Sequence, residues 1–279
     1  MERDELLERA LALAEEEDWV GAAEMLRDHL QDFGEDAAVH CWLAVAEREL
    51  GLEGVAYERF RQALALNPED PYVLATAGNG IAAFDDPDAE QALRTAALMA
   101  PHLAVTRLLY GAYLAREGFG DQAVAELNAA REIDPDDPQI AYELGVAYAL
   151  QQDHERAADA LADAVRLNPE DGWTRVVFGL VLLEADRVEE GTGELLSGAR
   201  LSEEDVDAQL AAALAAAATG RDDTAYEMLE RARIRSQDPD LARVLAVEDR
   251  LDGGHEGATR MLVDDLAPDL LRSRLSERP

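Results

Sequence analysis

PQIAYELGVAYALQQDHERAADALADAVRLNPED, from Pro138 to Asp171, is the stretch whose reading decides the fold. It reads as two amphipathic helices separated by a turn at Gln152–Asp153 and closed by an Asn-Pro stop, since apolar and small residues return at the three- and four-residue spacing of one helix face. The pattern recurs along the chain. The proline closing each unit stands at Pro68, Pro101, Pro135 and Pro169, at spacings of 33, 34 and 34 residues. A fixed period of that size marks a repeat architecture, in which each hairpin buries its apolar face only against its neighbours. Function is then expected on a surface assembled from many units, away from any single catalytic pocket.

Working outward, the units run approximately 3–36, 37–70, 71–103, 104–137, 138–171, 172–205 and 206–238. A degenerate pair follows over 239–266, and an amphipathic capping helix over 268–276. The third unit is one residue short at Asp85-Asp86-Pro87, and Pro268 is read as a stop because proline breaks a helix interior. Asp70, Asp137 and Asp171 precede first helices, where an acidic cap suits the helix N-terminus. No linker or low-complexity tract divides the array, so the expectation is one all-α domain over residues 1–279.

Composition agrees with helices and narrows the partners. Ala, Leu and Glu dominate while aromatics make up 5%, a poor mix for sheets. Net charge is −35, from 60 acidic and 25 basic residues, which repels phosphate backbones and anionic bilayers. The expectation is no nucleic acid and no membrane, and a basic or apolar protein partner instead. Every basic residue is Arg, so lysine-dependent chemistry, including the P-loop, is excluded. Cys41 is the one cysteine, leaving no internal disulfide, and the N-terminal sequence does not read as a signal peptide. A cytoplasmic location is expected.

Aligned, the units share small residues at three places: Ala44, Gly78, Gly111, Gly145, Gly179, Ala213; Ala56, Ala89, Ala123, Ala157, Gly191, Ala225; and Ala63, Ala96, Ala130, Ala164, Gly198, Ala232. Small side chains there let paired helices approach closely. This pattern resembles the tetratricopeptide repeat, a 34-residue helix–turn–helix with a closing proline. The family's early Trp is missing; His40, Leu74, Arg107, Ala141, Arg175 and Gln209 stand in its place. The resemblance implies a right-handed superhelical solenoid of stacked antiparallel hairpins whose first helices line a concave groove that binds peptides or helices.

Carried over by position, that groove is expected to include Tyr72, Asn79, Val105, Leu108, Arg116, Tyr142, Val146, Trp173, Val176 and Leu180. An exposed strip so apolar would mark an interaction site with aromatic anchors. Packing between neighbouring first helices accounts equally well for any one of these residues. A chaperone-type carboxylate clamp is not expected, since the groove offers Asn79, Arg107 and Arg116 and no Lys. The residues favour an apolar or amphipathic segment of a partner, with basic character to suit the acidic array. Leu270, Leu271 and Leu275 with Arg272 and Arg274 form a second apolar and basic strip. It is read as a cap on the last hairpin, with the groove of its own or a neighbouring molecule as the other seat, so self-association is open.

Catalytic, metal and cofactor sites are not expected. His29, His40, His102, His154 and His255 fall in different units without ligand spacing. His40 and Cys41 are adjacent on a helix and so point apart, which is wrong for a base and its nucleophile. Two function classes remain: a scaffold that binds partners in the groove, and a structural subunit of a homo-oligomer or fixed complex whose groove or ends are permanently occupied, with its own C-terminal helix as one occupant.

Overall fold

The computed structural model describes residues 1–276, and among these every regular element is helical. It resolves into two compact units, Met1–Leu114 and a second from Ala115 onward.

In the first unit, α1 (Arg3–Glu15) pairs with α2 (Trp19–Asp28), and a single turn, α3 (Leu30–Phe33), leads to α4 (Ala37–Glu49). Then α4 pairs with α5 (Glu53–Ala65), and α6 (Pro71–Ala82) with α7 (Asp88–Met99). The boundary falls within α8 (Ala104–Arg116). The second unit continues with α9 (Gly120–Ile133) and the hairpins α10 (Pro138–Leu150) with α11 (His154–Leu167) and α12 (Gly172–Glu184) with α13 (Val188–Leu201). After them come α14 (Val206–Ala218) with α15 (Asp222–Arg235), then α16 (Asp238–Asp252) and α17 (His255–Met261). A π-helical turn over Leu262–Leu266 joins α17 to α18 (Ala267–Ser276).

The helix starts follow from the acidic caps. Asp70, Asp137 and Asp171 accept from the N–H groups of Tyr72, Gln139 and Thr174 at 2.9, 2.8 and 3.1 Å, and Asp205 does the same for Ala208 at 3.0 Å. Each removes one of the orphan donors of a first turn. Close approach follows from the small residues: a Cβ on Gly145 would lie 2.5 Å from Cγ of Leu161, and one on Gly80 2.3 Å from the Phe60 ring.

The turn inside each hairpin holds one residue in the left-handed region, namely Glu17, Gly51, Asp85, Gly118, Gln152, Asp186 and Gly220, with φ between 53° and 82°. Glycine takes that conformation freely, whereas a Cβ costs about 1–2 kcal/mol there. Gln152→Gly should therefore stabilise the second unit by about 0.5–1 kcal/mol after glycine's larger unfolded-state entropy is subtracted. A rise in the urea midpoint without a change in slope is the expected reading; a fall would show that the Gln152 side chain holds the turn.

Pro268 does not stop a helix, contrary to the sequence expectation. Met261, Leu262 and Ala267 all keep right-handed helical angles, and the Ala267 N–H bonds back to the Leu262 carbonyl. Proline cannot donate and its ring crowds the carbonyl one turn earlier. The widened turn just before it relieves that crowding, as π-bulges do. So α17, the π-turn and α18 form one helical rod of about 33 Å at 1.5 Å per residue.

Candidate interaction site

The rod lies across the first helices of the second unit. Its α17 end packs on α14, and α18 packs on α12 and reaches α10. Ring Nδ1 of His255, at the start of α17, is 2.7 Å from the Ala217 carbonyl at the C-terminal end of α14. At the other end Arg274 meets Trp173, the second residue of α12. The strip made by Leu270, Leu271 and Leu275 thus seats on its own unit's first helices, and the cap-on-the-last-hairpin expectation is corrected accordingly. A local sequence pattern gives a helix its apolar face; the docking surface is set by what other helices leave uncovered.

Tyr142, Val146, Trp173, Val176 and Leu180 are brought together in one cluster with Leu270, Leu271 and Leu275. Val146 and Leu180 are fully buried, and Tyr142 and Val176 nearly so. The expectation of an exposed strip therefore fails for these residues, for two reasons. The second helices α11, α13 and α15 pack against α12 and α14, and the rod lies on both of these first helices. Each buried leucine of α18 is worth about 1.5–3 kcal/mol of apolar transfer.

One polar subsite stands in this apolar seat. The Trp173 indole N–H donates to the Tyr142 hydroxyl at 2.9 Å, which holds the ring flat. The Arg274 guanidinium carbon lies 3.9 Å from the centre of that ring, and its Nη2 donates to Oδ2 of Asp205 at 2.5 Å. Asp205 is fixed in turn, because its Oδ1 caps α14. The Arg274 and Asp205 side chains are 11% and 18% exposed, so this cation–π contact and ion pair are largely withdrawn from water, where both gain strength. Sequence reasoning noted Arg274 and missed Asp205, whose cap position was the available signal.

The other expected groove residues fall elsewhere. Arg116 is not offered to a ligand: its Nη1 and Nη2 donate to Glu143 Oε2 and Oε1 at 2.6 and 3.1 Å, and both side chains are buried. Gln139 donates to the same carboxylate at 3.4 Å. In the first unit, Tyr72 is 40% exposed and stacks on Trp42 with ring centres 5.8 Å apart. Asn79 and Leu108 are buried, and Val105 is half-buried.

His40 and Cys41 point apart and into packing. The His40 ring Nε2 lies 2.9 Å from the Gly34 carbonyl, and the Cys41 thiol donates weakly to the Val73 carbonyl at 3.8 Å. Burial pushes the Cys41 thiol up to about 12, outweighing the opposing charge of Arg48, and Asp70 adds a smaller rise. The thiolate is the reactive form, so Cys41 should resist iodoacetamide at pH 8 in the folded chain and react once urea unfolds it. Rapid native labelling would show an opened first unit. Among the described residues no three His, Cys, Asp or Glu side chains gather where they could hold a metal ion, and no helix is long and apolar enough to cross a membrane.

Comparison with known proteins places this geometry. The tetratricopeptide-repeat family profile matches residues 111–172. No curated protein sequence matches the chain. Among solved structures, a chain of the APC/C hetero-tetramer Cut9–Hcn1 is similar at 18% identity with a TM-score of 0.69, covering 86% of this chain and 48% of that one. The chain thus spans about half of that relative's length. A tetratricopeptide repeat protein from Parabacteroides merdae aligns at 12% identity and TM-score 0.61 over 88% of this chain and 97% of its own. A thermophilic repeat protein of Thermus thermophilus, TTC0263, aligns at 21% identity and TM-score 0.57 over 64% and 98%. The stacked hairpins, the small residues at their crossings and the 34-residue period converge with these matches: residues 111–172 carry the sequence pattern of the tetratricopeptide repeat, and the chain shares the helical-hairpin fold of solved tetratricopeptide-repeat proteins.

Proposed function

We propose that the chain is a non-catalytic protein-interaction scaffold whose second unit receives an amphipathic helix with basic character on the inner face of α10, α12 and α14. The observation that carries this reading is the helix already seated there. Leu270, Leu271 and Leu275 supply the apolar face and Arg274 the positive charge. Helix-in-groove recognition uses such anchors, and a surface of net charge −35 favours a basic partner on approach. The proteins with which this fold is shared include one solved in a hetero-tetramer.

A second reading has its own support. Because α18 shares one core cluster with α12 and α14, the groove can be filled for good, making the chain a structural subunit. Hydrogen exchange separates the two. Under the scaffold reading the α18 amides open far faster than those of α12, through a local release. Exchange of α18 only with global unfolding would favour the structural reading. Affinity capture from the source cell then tests the site itself: a Tyr142→Ala/Trp173→Ala double variant should lose one specific partner. An unchanged partner list would move the interaction to another face.

A further inference from the structure

We propose that Trp173, Tyr142 and Asp205 form a guanidinium-reading subsite, and that Arg274 occupies it as an internal stand-in for the arginine of a partner helix that must displace α18. The inference rests on the scaffold reading above and names the partner's chemistry. An indole floor, pinned by the Tyr142 hydroxyl, takes a flat cation at 3.9 Å. A carboxylate wall, pinned by its own capping bond, takes one N–H at 2.5 Å. Three first-helix positions from successive hairpins are thus held rigid before any cation arrives, which is the condition for selective recognition. A planar, delocalised guanidinium matches this flat stack beside a carboxylate better than a compact ammonium.

The stand-in prescribes the partner's pattern. In α18 the buried leucines and the arginine read Leu270, Leu271, Arg274, Leu275, so a competing helix presents apolar residues at i, i+1 and i+5 with arginine at i+4. Being tethered, α18 acts at an effective concentration in the millimolar range. The apparent affinity of a partner is lowered by the small fraction of molecules in which α18 is released. Arg274 is therefore both mimic and latch. The charged rim of the subsite is self-supplied, and a partner helix lacking the arginine cannot match what it must displace.

The test uses the full chain and a labelled peptide of residues 263–276, read by fluorescence anisotropy with hydrogen exchange of α18 followed alongside. Arg274→Ala in the chain should speed α18 exchange and tighten peptide binding about tenfold or more over the unaltered chain. Replacing the peptide's own arginine at the position of Arg274 by Ala should reverse that gain, and Asp205→Asn added to the chain should remove the distinction between the two peptides. Should Arg274→Ala disturb helicity by circular dichroism, Arg274→Lys serves instead, with a smaller gain because the charge stays and the flat stack is lost. Unaltered α18 exchange would overturn Arg274 as latch. Equal binding of both peptides would overturn arginine reading while leaving the groove as a helix site. Faster α18 exchange with no binding of either peptide would overturn the scaffold reading itself.

Discussion

Arg116→Ala should lower the stability of the second unit by about 3–5 kcal/mol, the cost of stranding a buried charge. The carboxylate of Glu143 is fully buried and takes two charge-assisted hydrogen bonds from the Arg116 fork, with Gln139 as a weaker third donor. Water cannot reach the site to replace the fork. The companion variant separates pairing from packing: Arg116→Met/Glu143→Leu should be much less destabilised than Arg116→Ala alone, because neither charge is then left buried without its partner. Urea unfolding followed by circular dichroism reads this as a shift of the second unit's transition. The two units need not melt together, so the transition must be assigned by a local probe such as hydrogen exchange of the α10 and α12 amides. A loss below about 1 kcal/mol for Arg116→Ala would mean that the ion pair is solvated after all.

The repeat fold was legible because its signals are local and periodic. Asp137 next to Pro138 marks a capped helix start, and Gly145 with Ala157 and Leu161 marks a close crossing; both depend on residues within one unit. The left-handed residue in each inner turn was less visible, since Gln152 and Asp186 do not announce it as Gly118 and Gly220 do. The site was partly legible. Trp173 and Tyr142 were picked out as anchors, yet whether they lie open depends on where α18 docks, and amphipathicity gives a helix a face without an address. Pro268 misled because the rule for proline assumes an unbroken α-helical ladder, and the widened turn over Leu262–Leu266 just before it makes room for the ring. Arg116 and Glu143 were the least legible. They stand 27 residues apart in successive repeats, so Arg116 reads as a groove residue open to a ligand and Glu143 as an ordinary surface charge.

Gly179→Val is expected to cost about 3 kcal/mol or more, at or beyond the upper end for overpacked cores. A Cβ at Gly179 would lie 2.8 Å from Cγ of Leu195 and 2.9 Å from both the Gly191 carbonyl oxygen and the Leu195 nitrogen. Two of those three atoms are backbone, so no rotamer change makes room and α12 must move off α13. Gly193 is the internal control. It lies in the same α13 with nothing within 4 Å of a built Cβ, so Gly193→Ala should stabilise by about 0.5–1 kcal/mol through helix propensity alone. The pair of measurements, urea midpoints of both variants, has opposite expected signs. Equal effects would mean that α12 and α13 do not cross as closely as Gly179 and Gly191 imply. The consequence reaches the interaction site, because α12 carries Trp173 at its start and is seated on α13 again where Gly198 meets Val176, a Cβ there falling 2.7 Å from Cγ2. Pushing α12 outward at Gly179 tilts the indole away from Asp205, which is held separately at the start of α14. Gly179→Val should therefore also speed hydrogen exchange of α18, although it touches neither Arg274 nor any residue of the subsite.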